Sequence, residues 1–234
     1  NLKHIVAFRG WDDDFDTDNG YRGKVQFALA LRDPNIADQS GSNGFESDND
    51  ASGSSASPLT RPVFSNVSIL GPGTVTGSMN GQFKRASHIR RNSRLNAFNT
   101  VLAGYPTGLL VDGTLTEGAA TNNDLQFRTT IIAGCSTPLA VASGSTFDAS
   151  AWFNTSGWGN SVLPNISDLG LNTPYSLNAP DLLPNGDSPL LSGADFSNTA
   201  LNSSFFQQVN FLGAFGTEDW TQSWCNWDPQ NTAY

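Results

Sequence analysis

The sequence predicts an all-β chain wound as a parallel β-helix with coils of about 30 residues. Three observations lead there: a composition rich in turn-forming residues, a self-match at fixed offset, and short apolar runs without helical period. A length of 234 residues fits one domain with a substantial buried core. Charged residues make up only 14% of the chain while Gly, Ser, Thr, Asn and Asp abound, the balance of an extracellular, turn-rich β protein. Aromatic residues reach 11% and apolar segments recur, which excludes disorder. With Lys+Arg 12 against Asp+Glu 21 and a formal charge of −9, a phosphate-backbone partner is not expected. No apolar run is long enough to cross a bilayer. The opening NLKHIVAFRG lacks the zones of a signal peptide, so either an export signal has been removed or the chain is a fragment.

The repeat carries most of the fold prediction. VLAGYPTGLLVDG (101–113) aligns without a gap to IIAGCSTPLAVAS (131–143), matching Ala103, Gly104, Thr107, Leu109 and Val111 with Ala133, Gly134, Thr137, Leu139 and Val141. A weaker copy, FSNVSILG (64–71), puts Asn66 where the next has Asn99, and LKHIVAF at the start has the same alternation. Each copy reads as two short strands separated by Gly, Pro and Thr. One such unit cannot bury its apolar face, but identical units stacked along an axis bury a continuous column, with each strand pairing in parallel to its equivalent one turn away. A β-sandwich is the alternative, but it predicts no matched residues at a long fixed offset. A stacked asparagine ladder accounts for Asn66 and Asn99. The sequons at Asn66, Asn154, Asn165 and Asn202 read as products of Asn- and Ser-rich sequence.

Residues 1–234 read as a single domain: repeat coils over 1–147, irregular final coils over 148–216 and a cap over 217–234. The segment 33–62 is rich in Ser, Asn, Asp and Gly and is expected to project as a polar loop. Trp220, Trp224 and Trp227 near the end suit a lid over the last exposed rung. Cys135 and Cys225 are too few for a disulfide framework or a thiol zinc site, and either a pair or two free thiols fits them. The segment 83–94 gathers Lys84, Arg85, Arg90, Arg91 and Arg94 with His88, a band suited to an anionic glycan or an acidic subunit face, or else a plain charged flank. No Ser-His-Asp triad or nucleophile elbow stands out, and His4 and His88 are too far apart in sequence to suggest a metal pair.

The stretch GWDDDFDTDNGYRGK (10–24) holds five aspartates within seven positions. On an extended chain Asp12, Asp14, Asp16 and Asp18 point the same way, and like charges that close need a partner. A calcium ion, the nearby Arg9, Arg22, Lys24 and Arg32, or water around a turn would each serve. An EF-hand is excluded, because the glycine falls one place late at Gly20 and Val25 stands where a bidentate glutamate belongs.

WDDDFDTDNGYRGKVQFALALRDP, GFESDNDA, PVFSNVSILGP and GAFGTEDWTQSW together resemble a family of secreted parallel β-helix proteins of Bacteroidota, described as lipoproteins or type IX secretion cargo. The resemblance covers nearly the whole chain and implies a right-handed helix and an extracellular or cell-surface address. It brings no activity with it. GDSPLLSGADF and FLGAFG resemble, more loosely, the closing coils of pectate-lyase-like β-helices. Members of the first family carry further coils ahead of the Asp-rich segment, so the chain is expected to be the C-terminal part of a longer protein or to have another subunit cover its open end. The expected role is an extracellular structural or interaction protein that displays loops, assembles with itself into filaments or adheres to glycans. The alternative is a calcium-assisted polysaccharide lyase or a glycoside hydrolase. Hydrolysis would use carboxyls such as Asp13 and Asp14, and elimination a base such as Arg22 or Lys24.

Overall fold

The computed structural model describes residues 1–73 and 79–233; residues 74–78, within the expected repeat region, and 234, the end of the expected cap, lie outside it. Strands alternate between two parallel sheets as the chain advances. The first sheet stacks β1 (Leu2–Phe8), β3 (Lys24–Leu31), β5 (Val63–Leu70), β8 (Val101–Ala103), β11 (Ile131–Ala133) and β13 (Ser161–Leu163), with β7 (Asn96–Phe98) and β10 (Gln126–Arg128) continuing it. The second stacks β2 (Phe15–Thr17), β4 (Ser42–Ser47), β6 (Phe83–Ile89), β9 (Thr107–Val111) and β12 (Thr137–Val141). The self-match seen in the sequence is a ladder: Ile131 pairs with Val101, and Leu139 and Val141 pair with Leu109 and Val111. Such stacking is the architecture of a parallel β-helix.

A column of left-handed residues bends the first sheet at one register position in successive turns. His4, Phe27, Asn66, Asn99 and Thr129 have φ of 54°, 59°, 55°, 52° and 50°, and the flanking pairs put them in line. Asparagine tolerates this region better than most residues, which gives the expected Asn66–Asn99 ladder a backbone cause. Between the sheets, Phe15, Phe45 and Phe64 pack in tilted and edge-to-face contacts, and Val67, Ile69, Leu102, Leu109, Phe127 and Ile132 continue the column. A buried hydroxyl chain, Thr17 Oγ1 to Ser47 Oγ (2.7 Å) and on to Ser93 Oγ (2.6 Å), satisfies the polar residues inside.

Two short helices, α1 (Thr114–Thr121) and α2 (Ala149–Phe153), interrupt the coils, and a small antiparallel pair, β14 (Leu171–Thr173) with β15 (Asp181–Pro184), follows β13. The remaining chain crosses the outer face of the first sheet. Leu190, Leu212, Ala214 and Phe215 belong to one cluster with Leu29, Leu31, Leu70, Val101 and Ile131.

Three expectations are corrected. The segment 33–62 is not wholly a projecting loop: it contains β4, whose Ser42, Asn43 and Ser47 are buried beside Phe45. A strand of small polar residues is invisible to apolar periodicity because its inward groups are satisfied by hydroxyl and amide bonds. Trp220 and Trp227 pack against His4 (5.1 Å) and Phe8 (4.9 Å) of β1, the first strand rather than the last rung. The reason is that the outer face of the first sheet is itself apolar and needs cover. The aspartates do not all point one way, as described below. Cys135 is buried and Cys225 half-buried, and both thiols are free.

Candidate functional site

The second sheet presents a charged outer face. Phe45 and Ser47 face inwards, so strand alternation turns Glu46 outwards. Parallel register aligns Asp16 of β2, Glu46 of β4 and His88 of β6 across neighbouring strands. Just beyond the strand ends stand Asp48, Arg90 and Asp112. Asp13, in the turn leading into β2, closes the group from the side.

Two carboxyls converge on one amide. Asn43 Nδ2 donates to Asp13 Oδ1 and to Glu46 Oε2, each at 3.0 Å, while the Asn43 backbone N–H donates to Asp13 Oδ1 at 2.6 Å. Burial and the adjacent charge of Glu46 raise Asp13 to about 7, against the pull of the Asn43 bond. Burial acts on Glu46 too, but the neighbouring His88 and the charge of Arg90 outweigh it and hold Glu46 below the ordinary carboxylate range. The two carboxyls are driven apart, Asp13 towards its protonated form and Glu46 towards its charged one. Asp16, open to solvent at its surface, is raised to about 6 by partial desolvation and then by Glu46, Asp18 and Asp48.

Arg90, Arg91 and His88 of this face are engaged. Arg90 donates to Glu46 and, through Nε at 2.8 Å and Nη2 at 3.1 Å, to Asp48. Arg91 Nη1 also reaches Asp48 at 3.1 Å. His88 Nε2 lies 2.9 Å from Asp112 Oδ2, and its Nδ1 is 3.8 Å from Glu46 Oε2. The cationic band read at 83–94 is therefore largely neutralised by acids, with Arg94 bound to Asp124 at 2.7 Å.

The residues singled out from sequence scatter. Asp13 joins the cluster. Asp14 turns inwards to a buried ion pair with Arg32 at 2.9 Å, and Tyr105 Oη stands 3.4 Å from the same oxygen. Burial raises Asp14, with Arg32 and Tyr105 opposing. Asp12 is exposed, Asp18 accepts from Asn19, and neither approaches Asp14 as a co-ligand. Lys24 Nζ donates to Ser203 Oγ at 2.9 Å, on the covered side of the first sheet, and Arg22 is an exposed turn residue. Among the described residues no group of three His, Cys, Asp or Glu side chains converges to hold a metal ion. Glu46, Asp112 and Asn43 were missed, and His88 was read only as part of the 83–94 band. One signal would have found the first: DFDTD (14–18) and GFESD (44–48) match by type, Phe15 with Phe45, Asp16 with Glu46 and Thr17 with Ser47, and these are the β2–β4 pairs.

Parallel rungs stacked in register, with matched side chains at equivalent positions, decide the classification. The chain belongs to the pectate-lyase-like β-helix domain family. The family's model matches residues 1–162, the part that carries every residue of the charged face. Comparison with curated proteins and with solved structures finds no match. Within this β-helix domain the strands are rigid, so Asp16, Glu46 and His88 are held at the fixed spacing of adjacent strands, about 4.8 Å. Among the described residues, no helix is long and apolar enough to cross a membrane.

Proposed function

We propose that the outer face of the second sheet processes polysaccharide by acid–base chemistry, the alternative foreseen from the sequence. The observation that carries this is the convergence of Asp13 and Glu46 on Asn43 Nδ2. A proton held near neutral pH beside a carboxylate is the equipment of general acid catalysis. Extended polysaccharides also suit a face that runs along several rungs. The test is cleavage of polysaccharides by the chain, with Asp13→Asn and Glu46→Gln each expected to lower the rate by ~10²-fold or more while the thermal melt stays cooperative. Retention of full activity in both variants removes the reading. Calcium assistance belongs to the same proposal: a ligand at 100 times its Kd stabilises the fold by about 2.7 kcal/mol, so a melt with calcium and with chelator decides it.

A second reading is favoured by the edge at β1. Leu2 is 50% exposed, and an open cleft of about 570 Å³ beside it is lined by Ile5, Phe15, Val25 and Phe64 together with Asp16, Asp18 and Tyr21. In this reading the coil stack is an extracellular or cell-surface scaffold whose β1 edge docks a second copy, since an exposed strand edge with apolar side chains is a template for another. Light scattering over a dilution series is expected to show concentration-dependent assembly, and a monomer at all concentrations removes the reading.

A further inference from the structure

From the charges and unpartnered groups of this face, we infer that its substrate is an uncharged polysaccharide cleaved by hydrolysis, with Asp13 as proton donor and the exposed Trp11 as a stacking platform. This rests on the acid–base reading above.

The charge inventory comes first. Asp12, Asp13, Asp16, Asp18, Glu46, Asp48 and Asp112 border the face. Arg90 and Arg91 are tied to Glu46 and Asp48, and His88 to Asp112. Even with Arg85, which pairs with Asn43 in the β4–β6 ladder, acids outnumber cations. A uronate chain would bring a carboxylate on each sugar into this negative field, whereas a neutral sugar meets no such repulsion.

Unpartnered groups point the same way. Asn43 and His88 are only 2% and 5% exposed, yet Asn43 Oδ1 and His88 Nδ1 have no hydrogen-bond partner. His88 Nε2 pairs with Asp112, and Nδ1 faces Glu46 Oε2 at 3.8 Å, beyond hydrogen-bond reach. The Asn43 amide oxygen, beside the two carboxyls, can only accept, so what completes it is a donor such as a sugar hydroxyl. Two positions before Asp13, Trp11 is 61% exposed. Its Nε1 is fixed to Asp38 at 2.8 Å and its backbone carbonyl accepts from Ser42 Oγ at 3.0 Å, so the ring is anchored while most of it meets solvent. An anchored indole suits the apolar face of a pyranose.

The step balances with water alone. The glycosidic C–O bond breaks, its oxygen receives the Asp13 proton and leaves as a hydroxyl. Water adds to the anomeric carbon and gives its proton to the Asp16 carboxylate, which stands next to Glu46 in register. Exchange with solvent restores both acids.

The experiment incubates the chain with neutral glucan, mannan, xylan and galactan and with polygalacturonate and alginate, each with calcium and with chelator. New reducing ends and unsaturated ends are measured separately. The inference expects reducing ends from a neutral polysaccharide, no unsaturated ends, and no effect of chelator. Asp13→Asn is expected to lower kcat by ~10²-fold or more, and Trp11→Ala to raise KM with kcat changed far less, both with cooperative melts. Calcium-dependent unsaturated ends from a uronate would overturn the inference and leave the acid–base reading standing. No cleavage of any polysaccharide would overturn both.

Discussion

Arg32 Nε lies 2.9 Å from Asp14 Oδ2, and neither side chain keeps any exposed surface. The guanidinium also donates to the carbonyls of Gly10, Asp12 and Asn43, so one side chain ties the turn at 10–14 to the start of β4. Asp13 leaves that turn, so the pair positions the candidate acid without touching it.

Arg32→Lys is therefore expected to behave as a disruptive change. An ammonium cannot span a carboxylate and three carbonyls as the planar fork does. Breaking a buried pair costs about 3–5 kcal/mol when a partner is removed, and a cost of about 2 kcal/mol or more is expected for the lysine, as unsatisfied carbonyls are left behind. Urea unfolding should show a lower midpoint at unchanged slope. A change below about 0.5 kcal/mol would assign the turn's geometry to other contacts.

Asn99 holds the returning C-terminal segment. Its Nδ2 donates to the Asp195 carbonyl at 3.2 Å, its Oδ1 accepts from the Asp195 N–H at 2.8 Å, and its carbonyl accepts from the Gly213 N–H at 2.9 Å. Asn99→Gly keeps the left-handed backbone (φ 52°) but deletes these two side-chain bonds and a third, from Nδ2 to Ser65 Oγ at 3.2 Å, and Asn99→Ala adds strain of roughly 1–2 kcal/mol. The expected order of stability is wild type, Gly, Ala. Limited proteolysis should cut the segment after residue 190 earliest in the alanine variant. Equal resistance in all three would show that apolar packing alone retains it.

The parts of the molecule visible in sequence were those with apolar periodicity and an unchanged repeat length. The 101–113 and 131–143 copies became β8–β9 and β11–β12, and Asn66 and Asn99 share a register position. Where the intervals between strands change, matching fails: Glu46 is 42 positions from its partner His88, so no fixed offset links them. Asp14 was read by strand alternation, but it precedes β2, and a residue outside the pleat obeys no such rule. Glu46 was hidden because β4 is built largely of small polar residues, and its place beside Asp13 and His88 arises from contacts between coils rather than from any local motif.

Packing between the sheets predicts a sharp intolerance at two glycines. A Cβ on Gly44 would lie 2.3 Å from Ile69 Cγ2 and 2.5 Å from the Ala86 carbonyl oxygen; one on Gly108 would lie 2.4 Å from the Pro138 carbonyl oxygen. Backbone cannot yield as a side-chain tip can, and overpacking costs roughly 1–3 kcal/mol. Gly44→Ala and Gly108→Ala should each lower the melting temperature, by about 2–4 °C for each kcal/mol lost. Gly118→Ala in α1, where nothing lies within 4 Å of the added carbon, should be neutral or stabilising. If all three melt alike, the rungs are less tightly stacked than the register implies.

Stability should fall as pH rises through the range where the candidate acids titrate. Asp13, raised to about 7 from 3.8, and Asp16, raised to about 6, bind their protons more tightly in the folded chain. Asp14, lifted by burial, acts in the same sense. The contribution of such a group is complete below about pH 4 and is lost as pH climbs through the folded value. Glu46 and Asp38 are shifted the other way, the latter to about 2 by bonds from Ser40 and Trp11, and they withdraw stability only as pH falls below the ordinary carboxylate range. The melting temperature is thus expected to peak in mildly acidic solution and to decline between about pH 5 and about pH 7. Asp13→Asn, which keeps an oxygen for Asn43 and cannot titrate, should flatten the upper part of that decline. Circular-dichroism melts of both proteins across the range measure it, and a melting temperature that rises towards neutrality would mean that Asp13 is ionised in the folded protein and holds no proton to donate.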